Sequence, residues 1–212
     1  MIVDLKQEYR SRGGAPIIDR VDVAIFHKVY FMQCMSCTFC YDVCCHFGVD
    51  VDVENMGRIL EHAEKLEAFT NTSRDEWFEN WRAEDQDFPG GQYTRTRRDT
   101  IGCIFLNKTG RGCGLHTFCL TEGLDYHELK PLVSTLFPLT FDNGLLGPSN
   151  ELKDDSVICA GQGTTLYRGV RDELNYYFGP GLVAELDALE QREGLGSRAE
   201  SRGPEESSAP PR

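Results

Sequence analysis

The spacing of apolar residues divides the chain into strand-like and helix-like stretches. Residues 21–32 (VDVAIFHKVYFM) are rich in β-branched and aromatic side chains, which predicts a strand. Residues 53–69 repeat apolar side chains three and four positions apart, which predicts a helix, and Asp52 is a suitable N-cap for it. A second helix is predicted over 73–83.

Two strand-like stretches in the middle of the chain flank a glycine-containing turn. Residues 93–106 (YTRTRRDTIGCIFL) and 113–120 (CGLHTFCL) are predicted to form the two strands of a hairpin, with residues 108–112 as its turn. This hairpin matters for function because it carries three cysteines.

The C-terminal half is predicted to be mainly helical. One short helix is expected around 125–136, and another begins at about Thr164 and breaks at the sequence Gly-Pro-Gly over 179–181. A last helix is expected to run to about Glu190.

This order of elements predicts a small single domain of the α+β class. We expect a cysteine-rich N-terminal helix, a short antiparallel hairpin and C-terminal helices. Residues 1–20 are expected to be a flexible lead-in and residues 21–190 the cysteine-cluster metal-binding domain. Residues 191–212 are expected to be a disordered tail, because this stretch lacks aromatic and β-branched residues.

Composition narrows the classes of partner. The formal net charge of the 212 residues is -12, which argues against nucleic acid as a main partner. No secretory signal and no apolar stretch of membrane-spanning length is visible, so we expect a cytoplasmic chain that does not enter a membrane. A basic protein partner for the acidic surface stays an open alternative.

Cysteines are the most informative residues of the chain. Five of the nine fall within residues 34–45, and the others lie far downstream. Thiols this dense either bind a metal or pair as disulfides. A reducing cytosol and an odd number of cysteines both favour metal. The predicted ligands are Cys37, Cys40, Cys44, Cys45, Cys103, Cys113, Cys119 and Cys159, with Cys34 and His116 left open.

Spacing sets a limit on how the clustered thiols share a metal. If residues 34–45 formed one helix, all five sulfurs would lie on a face about 140° wide. That helix would rise about 16 Å, however, whereas sulfurs around one zinc ion are only about 4 Å apart. Either a C-x2-C loop leads into a shorter helix, or more than one metal is held.

The downstream cysteines are candidates for completing the coordination shell. Cys103 and Cys113 flank the predicted hairpin turn, which can place both sulfurs on one side of it. For Cys119 and Cys159 the sequence favours neither of two roles, metal ligand or small buried apolar residue.

These residues resemble the YkgJ-like family of cysteine-cluster proteins, which is described as zinc- or iron-chelating. Its C-x2-C-x2-C-C signature is similar to the run that ends at Cys44 and Cys45, with one extra residue. GCIFL (102–106), GRGCGLH (110–116) and KPLVSTLFPL (130–139) are similar to its later segments. Where the last of these usually supplies a cysteine, this chain has Ser134, and a serine hydroxyl is a poor ligand for soft metals.

The resemblance implies a protein that binds zinc or iron, with an iron–sulfur cluster as one form of the iron site. Because relatives of the family include a flagellin lysine methylase, an alternative is a metal- or cluster-dependent enzyme, either an oxidoreductase or a methylase-like protein-modifying enzyme. A Gly-rich loop between a strand and a helix, as in many methyltransferases, is not visible in the sequence.

Overall fold

The computed structural model describes residues 1–152 and 157–194 as a chain of mixed α/β structure. Its strands are β1 (Ile2–Arg10), β2 (Ile17–Asp22), β3 (Val29–Tyr30), β4 (Asp50–Asp52), β5 (Ala83–Glu84), β6 (Gln92–Arg95), β7 (Leu139–Asp142), β8 (Leu145–Pro148) and β9 (Thr164–Thr165). Its α-helices are α1 (Val53–Glu61), α2 (Ala63–Thr70), α3 (Gly114–Glu122), α4 (Leu132–Leu136), α5 (Leu166–Phe178) and α6 (Pro180–Arg192). The predicted mixture of helices and strands in one small chain is confirmed. No helix in the described ranges has both the length and the apolar character needed to cross a membrane.

The largest sheet has the strand order β1-β2-β8-β7. Strands β2 and β8 run parallel, with Val21 opposite Leu146, and the other neighbouring pairs are antiparallel. Helix α6 packs against β1, and α5 packs against β7 and α6. Two smaller sheets, β3-β9 and β4-β6-β5, lie outside it.

The expectation of a flexible lead-in over residues 1–20 is wrong, because β1 and β2 occupy most of this stretch. Strand β1 pairs with β2 in antiparallel register, with Val3 opposite Val21. Glu185 of α6 also holds β1 in place. Its carboxylate accepts hydrogen bonds from the Lys6 amide (2.9 Å) and the Tyr9 hydroxyl (2.7 Å). Most side chains of β1 are polar and exposed, so the strand has little hydrophobic signal in the sequence.

The predicted helix over 53–69 is present as α1 and α2, separated at His62. Asp52 caps α1 as expected, since its carboxylate accepts a bond of 2.7 Å from the Asn55 amide. The helix predicted over 73–83 is wrong. A single 3-10 turn, Arg74–Glu76, occupies its start, and the following chain pairs with β6 and its continuation.

The return strand predicted over 113–120 is also wrong, because α3 occupies this stretch. Cys113 pairs with Leu106 in an isolated bridge, and the helix begins at the next residue. Leu115, Phe118 and Cys119 are buried, and their spacing of three and one residues fits one face of a helix.

Helices α5 and α6 confirm the C-terminal prediction. Thr165 caps α5, whose buried face includes Leu166, Val170 and Leu174, and α6 begins at Pro180 and ends at Arg192. Most of the tail predicted over 191–212 lies outside the described residues.

The buried apolar side chains form two clusters. One lies between the large sheet and helices α5 and α6, and it includes Cys37, Cys40 and Cys159. The other surrounds Trp77 and Phe105. The chain from Cys34 to Cys45 lies where the two clusters meet, because its neighbours come from both.

Candidate metal centre

The cysteine-rich N-terminal helix predicted from the spacing is wrong. Residues 34–45 contain two 3-10 turns, Cys34–Ser36 and Val43–Cys45, and between them Tyr41 and Asp42 adopt left-handed conformations with φ of 52° and 59°. Contacts with a distant segment hold this shape. The Asp42 carboxylate accepts a bond of 3.1 Å from the Gly112 amide and pairs with Arg111, also at 3.1 Å.

Three of the predicted ligands form a compact buried group. The sulfurs of Cys37, Cys40 and Cys159 all lie within 4.8 Å of one another, close to the spacing of thiolates around one tetrahedral ion. This group, which we call the thiol triad, can therefore hold a metal ion. Within residues 1–152 and 157–194 it is the one group of three or more possible metal-binding side chains with this spacing.

Cys159, the third member of the thiol triad, lies on a segment far along the chain from Cys37 and Cys40. The Cys159 carbonyl accepts a bond of 3.0 Å from the Phe31 amide, and Ala160 pairs with Tyr30. These bonds place residues 157–161 beside the strand that leads into the cysteine-rich segment.

The thiols of the triad differ in their tendency to ionise. Burial opposes ionisation of Cys37, but hydrogen bonds from the Cys40 thiol and from the Phe39 and Cys40 amides outweigh it and lower the pKa of this thiol. Burial raises the pKa of Cys40, and it raises the pKa of Cys159 to about 12. Cys37 is therefore the thiol of the triad whose ionisation its surroundings favour most.

The positively charged side chain of Arg111 contacts the thiol triad. The Arg111 guanidinium donates to the Cys40 sulfur at 3.6 Å, and the largely buried Asp42 carboxylate fixes its position. Such a donor stabilises a thiolate more than a thiol. No local pattern in the sequence marks either residue, because only the fold brings positions 42 and 111 together.

Most of the other predicted ligands line a separate cavity of about 650 Å³. Its lining includes the thiol-bearing residues Cys34, Cys44, Cys45, Cys103 and Cys113. His116, Lys130 and Ser134 also line it, so the serine at the position of the family's cysteine faces the same space.

Short contacts connect the chain segments that carry the thiols of this cavity. The sulfurs of Cys44 and Cys45 are 4.0 Å apart, and the Cys103 amide donates to the Cys45 carbonyl at 2.8 Å. A hydrogen bond to Cys44 and burial raise the pKa of Cys34 far above its ordinary value. Burial raises the pKa of Cys103 to about 11.

Cys119 is placed with neither group. It is fully buried in α3 within the second apolar cluster, where it packs as a small apolar side chain. His116 stacks on Tyr126, with ring centroids 4.1 Å apart, and burial lowers its pKa to about 4. A neutral imidazole at the cavity wall is a possible ligand.

Comparison of the chain with protein-family models, curated proteins and solved structures finds no match. The resemblance to the YkgJ-like family therefore stays a prediction.

Proposed function

We propose that this chain is a metal-binding protein that holds a zinc or iron ion through Cys37, Cys40 and Cys159. The observation that carries the proposal is the buried thiol triad, whose three sulfurs come from two segments more than a hundred residues apart and lie within 4.8 Å of one another. All nine cysteines are free thiols, so the ligands are available.

The chemistry of the donors favours a soft or borderline cation. Thiolates select zinc, iron in iron–sulfur centres or copper(I) over hard cations such as magnesium and calcium. The bonds to Cys37 from two backbone amides, and the bond from Arg111 to Cys40, stabilise the charge that a thiolate ligand carries.

Three protein ligands leave one position of a tetrahedral ion for water or another molecule. A catalytic zinc site has this composition, whereas a structural site is closed by four protein ligands. This feature supports the second candidate function, a metal-dependent enzyme of the oxidoreductase or methylase-like type. Spectral changes on adding cyanide to the metal-loaded protein, with an intact fold, would favour the enzyme over a purely structural site.

The compartment, the family and the class of partner expected from the sequence are compatible with this proposal. Reduced thiols persist in a reducing compartment, and this favours the cytoplasm. Membership of the YkgJ-like family would account for the combination of clustered and downstream cysteines. The acidic surface suits a basic protein partner and disfavours nucleic acid.

Metal analysis of protein purified without oxygen tests the proposal. We expect stoichiometric zinc or iron in the wild type. The double variant Cys37→Ala/Cys159→Ala lacks two ligands of the thiol triad, so its metal content per chain should be lower by the ion that the triad holds. Acid-labile sulfide and absorbance near 400 nm would identify an iron–sulfur cluster, whereas colourless protein containing zinc would identify a zinc site.

Cys119→Ala is the matched control, since it also removes a buried thiol but lies outside the thiol triad. It should keep the metal content of the wild type. If the double variant folds and binds as much metal as the control, the proposal is wrong.

A further inference from the structure

We propose that Tyr126 and Tyr176 form a radical-transfer path between the surface of the protein and the cavity of about 650 Å³ that five cysteines line. Through this path a one-electron reductant in solution can repair a thiyl radical on a cavity cysteine. The path needs reduced thiols in the cavity but no bound metal, so it is independent of the proposed function.

Four aromatic rings stack in series along this path. The His127 ring stacks on Tyr126 at a centroid distance of 4.0 Å and on Tyr176 at 3.6 Å, and Tyr126 stacks in turn on His116 at 4.1 Å. The planes of neighbouring rings differ by no more than 28°. Because electron tunnelling weakens steeply with distance, rings in face-to-face contact favour transfer between the two phenols across His127.

The two ends of the stack lie in different surroundings. His116 lines the cavity and follows the cavity cysteine Cys113 by three residues. Tyr176 is partly exposed, and the exposed Arg12 guanidinium carbon lies 4.4 Å from its ring centroid. One end is therefore next to the cavity thiols, and the other can be reached from solvent.

Each phenol faces a carboxylate that can take its proton. Oxidation of a tyrosine at neutral pH releases the hydroxyl proton, so a redox-active tyrosine needs a base beside its hydroxyl. The Tyr126 hydroxyl donates to Glu173 at 2.6 Å, and burial and this bond raise its pKa, so it stays protonated until it is oxidised. Burial and the charge of Asp125 raise the pKa of Tyr176, whose hydroxyl also bonds to that carboxylate.

His127 connects the two proton acceptors. Its Nδ1 lies 2.5 Å from an Asp125 oxygen, and its Nε2 lies 2.6 Å from a Glu173 oxygen. An imidazole can accept a proton at one nitrogen and release one from the other, so protons can pass between the carboxylates. A stack that served packing alone would not need a carboxylate at each phenol and an imidazole between the carboxylates.

Each step moves one electron and one proton. A thiyl radical in the cavity takes an electron from Tyr126 and becomes a thiolate, while the phenol proton passes to Glu173. Tyr176 then gives an electron to the Tyr126 radical, which takes back its proton from Glu173, and the proton of Tyr176 passes to Asp125. Ascorbate, as the reductant in solution, gives an electron to the Tyr176 radical, and Asp125 returns the proton. The ascorbate radical releases one proton to water, and the thiolate takes one up.

Oxidation from the surface tests the path, because each transfer is reversible. The reduced, metal-free, full-length protein is mixed without oxygen with hexachloroiridate(IV), an outer-sphere one-electron oxidant. EPR of freeze-quenched samples detects tyrosyl radicals, and mass spectrometry detects disulfides among the cavity cysteines. The variants Tyr126→Phe and Tyr176→Phe keep each ring and remove only its hydroxyl. Tyr41→Phe is the matched control, since Tyr41 is 70% exposed and lies outside the stack.

We expect the wild type and the control to form a tyrosyl signal that is missing from Tyr126→Phe, followed by disulfides in the cavity. Either path variant should lose most of these disulfides. Equal oxidation of the cavity thiols in all four proteins would mean that the oxidant attacks them directly, and it would overturn the inference.

Glu173→Gln provides a second test, because glutamine keeps an acceptor oxygen but is not a base. It should slow the formation of the Tyr126 radical, and an unchanged rate in a folded variant would contradict the proton transfer. Circular dichroism checks that each variant folds. None of the replaced residues belongs to the thiol triad, so each variant should keep the metal content of the wild type, and failure of the path leaves the proposed function untouched.

Discussion

Replacing Arg111 by methionine tests how the protein holds charge against the thiol triad. The wild-type guanidinium bonds to the Cys40 sulfur at 3.6 Å and pairs with the Asp42 carboxylate at 3.1 Å. The Asp42 side chain is only 8% exposed, whereas that of Arg111 is 29% exposed. Arg111→Met therefore leaves a nearly buried carboxylate without its cation and removes a donor from the thiol.

The size of the effect follows from these two losses. Breaking a fully buried ion pair costs about 3–5 kcal/mol, and a hydrogen bond to a charged group contributes about 1.5–3 kcal/mol. Because Arg111 is partly exposed and the Gly112 amide still binds Asp42, we expect a smaller loss than for a fully buried pair, about 2 kcal/mol. For a domain of this length that corresponds to a fall in melting temperature of about 4–8 °C.

Thermal and urea unfolding of the metal-free, reduced protein measures this loss. The double variant Arg111→Met/Asp42→Asn is the control, because it removes the unpaired charge and should recover part of the stability. It should not recover metal affinity, since the donor to Cys40 is still missing. Equal stability of Arg111→Met and the wild type would refute the reasoning, and so would equal metal affinity.

Local patterns were sufficient for the helices that bury one continuous face. Helices α5 and α6 follow the apolar spacing and the Gly-Pro-Gly break, and Asp52 caps α1 as predicted. Strand β1 could not be found in this way, since its contacts with β2 and with Glu185 of α6 fix it and its own side chains are mostly polar.

The shape of the cysteine-rich segment depends on contacts that the sequence does not reveal. The five sulfurs would share one face of a helix, which predicts a helix here, but Asp42 bonds to Gly112, 70 residues away, and the chain turns at left-handed residues instead. The division of the thiols follows from the same long-range contacts. Sequence identified which residues have metal-binding chemistry, and tertiary structure decided which of them share a site.

Three further predictions concern stability. Asp52→Ala removes the bond to the Asn55 amide that caps α1, so urea unfolding should show a loss of about 1 kcal/mol, and Asp52→Asn should restore most of it. Removing bound metal with a chelator should lower the melting temperature of the wild type more than that of Cys37→Ala/Cys159→Ala, which lacks two ligands of the thiol triad, because a ligand that binds only the folded state stabilises it. Asp187→Asn should cost about 1 kcal/mol at neutral pH, since its carboxylate accepts bonds from Arg171 at 3.1 and 2.6 Å and joins α5 to α6. The side-chain bond from Arg171 lowers the pKa of Asp187 below its unfolded value of 3.8, so this stabilisation is complete above that value and is lost as the pH falls through the folded-state pKa. The free energies of unfolding of the wild type and of Asp187→Asn, measured with urea, should therefore converge in acid. A difference that stays constant down to pH values well below 3.8 would show that the Asp187 charge is not its source.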